Sequence, residues 1–132
     1  MRKIQNLEID PGRGEIWDLN LDPTQGIEIH SHDSTRPCLV LTTNPYRAIR
    51  LRHVVPITEW KEHLGRQTWA IRLDPTPTNG LDKVSVALAN QLRAVSLDRF
   101  FTDTAQALYR GRVTAEELEL ITMAVGLTIG LP

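Results

Sequence analysis

The chain has 132 residues, the length of one domain spanning 1–132, and its 41% hydrophobic and 23% charged content excludes a disordered polymer. A formal net charge of −1 excludes nucleic-acid binding by bulk electrostatics, which leaves only a local basic site for that purpose. The single cysteine, Cys38, excludes an internal disulfide and a thiolate metal cluster, and fits a reducing, cytoplasmic setting.

Met1 to Gly14 carries charges without an apolar run and does not read as a signal peptide. No segment approaches the roughly 20 apolar residues of a membrane span. The first predicted strand is Gly14–Asn20, with Trp17, Leu19 and Leu21 on one face by alternation. Asp22-Pro23-Thr24-Gln25-Gly26 ends it. Ile27 to Thr35 is polar, contains His30 and His32, and reads as a long loop of functional or mobile character. Cys38–Thr42 is an apolar run bounded by Pro37 and by Asn44-Pro45, and is predicted as a buried strand.

The next strand is predicted over Ile49–Thr58. Pro56 has no amide hydrogen and belongs at a strand end, an edge or a bulge. Arg47, Arg50, Arg52 and His53 cluster here beside Tyr46. On an extended segment Arg50 and Arg52 point to one face, either as a nucleic-acid contact or as an ordinary solvated surface. Glu59–Leu64 reads as one helical turn or a loop. Trp69–Leu73, Val84–Ala89 and Leu92–Val95 read as further strands, the first followed by a rigid turn at Pro75, Pro77 and Asn79-Gly80. Ser96–Arg99 can start a short helix. Thr114-Ala115-Glu116-Glu117 is a capping box, and Leu118, Ile121 and Val125 follow at helical spacing, with an end near Gly126 or Gly130. Short strands followed by a terminal helix predict a mainly β fold, a small curled sheet or barrel with a C-terminal helix packed on it.

The chemistry-bearing residues are few. His30 and His32 with Asp33 offer half of a metal site, and no second cluster completes it. Cys38 lies in an apolar strand and reads as an inert core thiol. Arg36 closes the polar loop and precedes a proline-led buried strand. A guanidinium there suits a phosphate, whose oxygens match its planar fork, although a solubilising surface arginine is the simpler reading. Thr58 ends a strand, where a hydroxyl can donate to a phosphoryl oxygen or cap the next segment. Glu28 is placed as a base or as a partner for an arginine.

At these residues the chain resembles the MazF/PemK/Kid family of type II toxin–antitoxin mRNA interferases. Gly14-Glu15-Ile16-Trp17 with Asp22-Pro23-Thr24-Gln25-Gly26 resembles the family's opening strand and turn. Thr35-Arg36-Pro37 before the apolar Cys38–Leu41, and Val54-Val55-Pro56-Ile57-Thr58, resemble its next two signatures. Gly80 to Val95, with Gln91 and Arg93, resembles its most recognisable block, and Gly111 to Leu131 its terminal helix.

The resemblance implies an SH3-like barrel with a terminal helix and a homodimer. It implies a cytoplasmic endoribonuclease that cuts single-stranded RNA at short sequences and inhibits growth. A cognate antitoxin neutralises it, and toxin and antitoxin together bind DNA. The implied mechanism needs no metal or cofactor: the 2′-hydroxyl attacks and a 2′,3′-cyclic phosphate results. Arg36, Thr58 and Glu28 match the catalytic positions. Gln91, Arg93, His30, His32, Arg50 and Arg52 are the expected RNA contacts.

Two departures stand out, the longer histidine-bearing loop from Gly26 to Arg36 and Asn90 where the family has an aspartate. The alternatives are a non-hydrolytic module of the same fold, like the gyrase poison CcdB, or a degenerate member that only binds RNA or antitoxin.

Overall fold

The computed structural model describes residues 2–5, 9–29, 35–101 and 106–131. Their strands are β1 (Arg2–Gln5), β2 (Glu15–Leu19), β3 (Arg36–Val40), β4 (Leu51–Glu59), β5 (Ala70–Leu73), β6 (Ser85–Leu88), β7 (Arg93–Ser96) and β8 (Gln106–Arg112). The helices are the single turn α1 (Glu62–Gly65) and the long terminal α2 (Ala115–Thr128). Every pairing is antiparallel, in the order β1-β8-β2-β3-β4-β6-β5, with β7 lying beside β4. The outermost strands β1 and β5 do not pair with each other, so the sheet is an open, barrel-like one.

The interior explains the unbroken apolar runs of β2 and β3. Alternate residues enter two different cores, so both faces of these strands are buried. Ile16, Leu39, Val55 and Ile57 join Ile121 and Val125 of α2 in one core. Trp17, Leu19, Leu21, Cys38, Val40 and Val54 join Phe100 and Ala107 in the other, where Trp17 meets Phe100 and Tyr109 edge-on. The predicted common face of Trp17, Leu19 and Leu21 is therefore present. Each such fully buried aliphatic side chain contributes about 1.5–3 kcal/mol.

Pro56 sits inside β4 rather than at its end. β4 pairs with β7 through Leu51–Val54 and with β6 through Ile57–Glu59, and Pro56 falls at the changeover between these two partners. The missing amide thus lies in a local gap within a central strand. β1 and β8 are not expected from the sequence. β8 is central to the architecture, for it pairs with both β1 and β2.

α2 starts as its capping box dictates. Thr114 Oγ1 accepts from the Glu117 amide at 3.1 Å, and Glu117 Oε1 accepts from the Thr114 amide at 2.9 Å. It ends at Gly130, whose φ of +87° allows the Leu131 amide to reach back to Gly126 O at 2.8 Å. Ile121, Ala124 and Val125 are buried, whereas Leu120, Met123 and Leu127 face outward. Among the described residues no helix is long and apolar enough to cross a membrane.

Candidate active site

Arg36 begins β3 at the exit of the polar loop, and β2 clamps the segment through the pairs Leu19↔Arg36 and Asp18↔Pro37. Thr58 lies near the end of β4, held opposite Val86. β3 runs antiparallel to β4 from the pair Cys38↔Pro56. Arg36 and Thr58 each lie two residues beyond that pair, at the same end of the two strands. They line one cleft of about 420 Å³ with Thr35, Glu59, Lys61 and Arg110 among its other walls. Arg36 Nη1 donates to Ile57 O at 3.2 Å, which draws the guanidinium toward β4. Partial burial is the main cause of an Arg36 pKa below the ordinary arginine value. A poorly hydrated guanidinium binds an anion more strongly than a fully solvated one.

Arg110 was missed by sequence reasoning, because a lone arginine outside any predicted element looks like surface. It reaches from β8 to the buried Asp18 of β2 (Nε to Oδ1, 2.5 Å), to Gly80 O at 3.0 Å and to Asp82 at 3.4 Å. Burial acts to lower the Arg110 pKa, but Asp18 and Asp82 outweigh it and hold the group charged. Burial raises the Asp18 pKa, and Arg110 opposes this. The cleft thus carries Arg36, Lys61, Lys83 and Arg110 against Glu59 and Asp82, with Lys83 and Glu59 3.7 Å apart. This cationic excess is a local basic site within a chain of nearly balanced charge.

The remaining expected residues are distributed differently. Glu28, Gln91 and Arg93 line a second cleft of about 260 Å³ with Asn90. Gln91 fastens the 27–29 segment there, accepting from the Ile29 amide at 2.7 Å and donating to Ile27 O at 3.2 Å. Arg93 donates to Leu21 O at 3.4 Å, and Glu28 accepts from the Gln25 amide at 2.7 Å.

Arg52 departs from expectation. It is 1% exposed and is engaged by Asp10 and by the carbonyls of Pro11, Ile49, Leu51 and Arg47, so it braces the fold and does not present a donor to RNA. Arg50 precedes β4, is exposed and lies 3.6 Å from Asp98. The two arginines therefore do not share a face. His30 and His32 lie outside the described residues. Among the described residues no group of three or more His, Cys, Asp and Glu is placed to hold a metal ion. Cys38 is fully buried, and burial pushes its thiol far above the usual range.

Residues 12–129 match the family described as PemK-like, MazF-like toxin of type II toxin–antitoxin system. Endoribonuclease PemK of Escherichia coli is 33% identical over 97 residues, 73% of this chain and 68% of its own length. Endoribonuclease MazF9 of Mycobacterium tuberculosis is 30% identical over 125 residues, 90% of this chain and 96% of its own. Among solved structures, MazF from Deinococcus radiodurans superposes with a TM-score of 0.74 at 21% identity, covering 94% of this chain and 100% of that one. An endoribonuclease in complex with its cognate antitoxin from Mycobacterial species superposes with a TM-score of 0.67 at 20% identity, covering 92% and 97%.

Proposed function

This chain belongs to the PemK-like, MazF-like family of type II toxins, and on that premise we propose that it is an endoribonuclease cutting single-stranded RNA in the cleft of Arg36 and Thr58. The meeting of these two side chains in one positively biased cleft is the observation that carries the reading. It also favours a nuclease over a module that acts by contact alone.

The reaction is an internal transesterification. The 2′-oxygen forms a bond to phosphorus, the bond from phosphorus to the 5′-oxygen breaks, and the products are a 2′,3′-cyclic phosphate and a 5′-hydroxyl. Negative charge grows on the phosphoryl oxygens as phosphorus becomes five-coordinate. Arg36 supplies fixed positive charge at that point, and Thr58 donates a hydrogen bond to a phosphoryl oxygen. Glu59 lines the same cleft and is the carboxylate we assign to take the 2′ proton, while water at the open mouth protonates the leaving 5′-oxygen. Glu28, expected at a catalytic position, lines the second cleft and not that of Arg36 and Thr58, so we assign it with Gln91 and Arg93 to the flanking nucleotides. Since the nucleophile is the RNA's own hydroxyl, no metal-activated water enters the scheme. A cognate antitoxin neutralises the toxin by covering the cleft.

Incubating the purified protein with a long transcribed mRNA in excess EDTA and mapping both new ends tests this. Cuts bearing cyclic phosphate and 5′-hydroxyl ends are expected. Strict dependence on added divalent metal, or 5′-phosphate ends, overturns the mechanism.

A further inference from the structure

β6 lies between β4 and β5, and its register aligns three residues across the sheet. Thr58 pairs with Val86, and Val86 pairs with Arg72 on its other side. Residues directly opposite one another share a face, so Thr58, Val86 and Arg72 form a single row, with two strand spacings, about 10 Å, from Thr58 to Arg72. Trp60 follows two positions after Thr58 and continues the pairing, its amide donating to Val84 O at 2.9 Å. Its chain neighbours Glu59 and Lys61 both line the Arg36 cleft. The indole packs with Leu64 and Trp69 around the buried Val86 and Leu88.

Arg72 lies over this indole, with its guanidinium carbon 5.7 Å from the ring centroid, while its Nε donates to Asp74 Oδ1 at 2.9 Å. Arginine side chains on an exposed strand normally sample many rotamers. Here an aromatic face and a carboxylate both engage the guanidinium, yet the side chain remains 58% exposed. Asp74 already neutralises much of the charge, which makes the group a poor phosphate clamp. The flat, electron-poor surface remains, and unstacked bases of single-stranded RNA settle on guanidinium planes and aromatic rings.

We propose that Arg72, lying over Trp60, is the stacking contact that holds the nucleobase adjoining the scissile phosphate and favours the bases that stack most strongly. The inference rests on RNA cleavage at Arg36 and Thr58. It adds a specificity-determining residue outside the cleft itself.

The test compares wild type with Arg72→Ala, Arg72→Lys and Trp60→Phe. Cuts are mapped on one long transcribed mRNA. Single-turnover rates are then measured against protein concentration on an oligoribonucleotide carrying the site that wild type cuts most. Arg72→Ala should leave the saturating rate intact, raise the half-saturating concentration about tenfold, and relax the base preference at one position beside the cut. Arg72→Lys should behave like Arg72→Ala, because it keeps charge and loses the plane. Trp60→Phe keeps an aromatic support and should lie between. The salt dependence of binding should keep its slope, since no phosphate contact is lost.

An Arg72→Ala protein with unchanged half-saturation and unchanged preference overturns the proposal. So does rescue by lysine with the salt slope of Arg72→Ala reduced by about 0.7, which identifies a phosphate contact. Wild type that cuts no RNA at all fails at the earlier step, and removes the endoribonuclease reading on which the stack depends.

Discussion

Arg36 combines a fixed position with partial desolvation, and this makes it the residue whose loss is felt most in catalysis. Arg36→Ala should lower the single-turnover rate on the order of 10²–10³-fold. Arg36→Lys should stay badly impaired, because an ammonium cannot reproduce a planar fork. Thr58→Ala should be milder, since it removes a neutral hydrogen bond. Single-turnover assays of one RNA, with circular dichroism to check folding, decide this; a folded Arg36→Ala that cuts at the wild-type rate removes Arg36 from the mechanism. Cys38 poses the opposite case. Its thiol is fully buried in the second core and held protonated by that burial. It should not react with a thiol reagent such as Ellman's in native buffer and should react at once in denaturant. Rapid labelling of the native protein would show that this core opens.

At the scale of elements, strong local chemistry makes α2 legible, because Thr114 and Glu117 form a capping box that packing only confirms. Thr114→Ala should lower stability by about 1 kcal/mol, read as a shift of the urea midpoint without a change in slope. β2, β3 and β4 are legible from apolar runs, and Arg36 and Thr58 from the strand ends beside them. β8 is not, for physical reasons. Its buried positions include the small residues Ala107 and Gly111, which give no alternating apolar signal. Gly111 opens the block that resembles the terminal helix in sequence, but it lies inside β8: a Cβ there would collide with Thr78 O, where the 74–80 turn presses against the strand. Arg110 is hidden with its strand. Arg52 misleads for the related reason that burial of a cation is invisible until its carbonyl partners, from Pro11 to Leu51, are assembled around it. The outward apolar positions of α2 are indistinguishable from its core face in the sequence, since Leu120 and Leu127 fit a helical period as well as Ile121 does.

At the scale of the whole molecule, the Asp18–Arg110 pair ties β2 to β8, with the two side chains 3% and 12% exposed. Arg110→Ala leaves a buried carboxyl without its partner and should lower stability by about 3–5 kcal/mol. The pH dependence follows from the sign of the Asp18 shift. Burial raises its folded pKa above the ordinary value of 3.8, so the folded state binds a proton more readily than the unfolded state does. Stability is fully present below that value and declines as pH rises through the folded pKa. Without Arg110 the opposing influence is lost, so the decline should be steeper and extend to higher pH. Urea unfolding of both proteins from pH 3 to 7 measures it, and parallel curves would show that Arg110 does not offset the burial of Asp18. The whole molecule should also pair. Leu120, Met123 and Leu127 form an exposed apolar stripe on α2. Light scattering should find twice the 14.9 kDa chain mass, and a purely monomeric species at micromolar concentration would count against a symmetric dimer.

The pairing of β8 with both β1 and β2 also bears on synthesis. Translation delivers β1 and β2 long before β8, so the early strands wait with an open edge, and the Asp18 carboxylate without its guanidinium, until β8 emerges. Arg110, one wall of the cleft, arrives only then. A chain translated only as far as β7 therefore lacks one wall of the proposed cleft. Strand order thus sets an order of assembly in which the cleft is completed by a strand that lies far beyond both Arg36 and Thr58 in the chain.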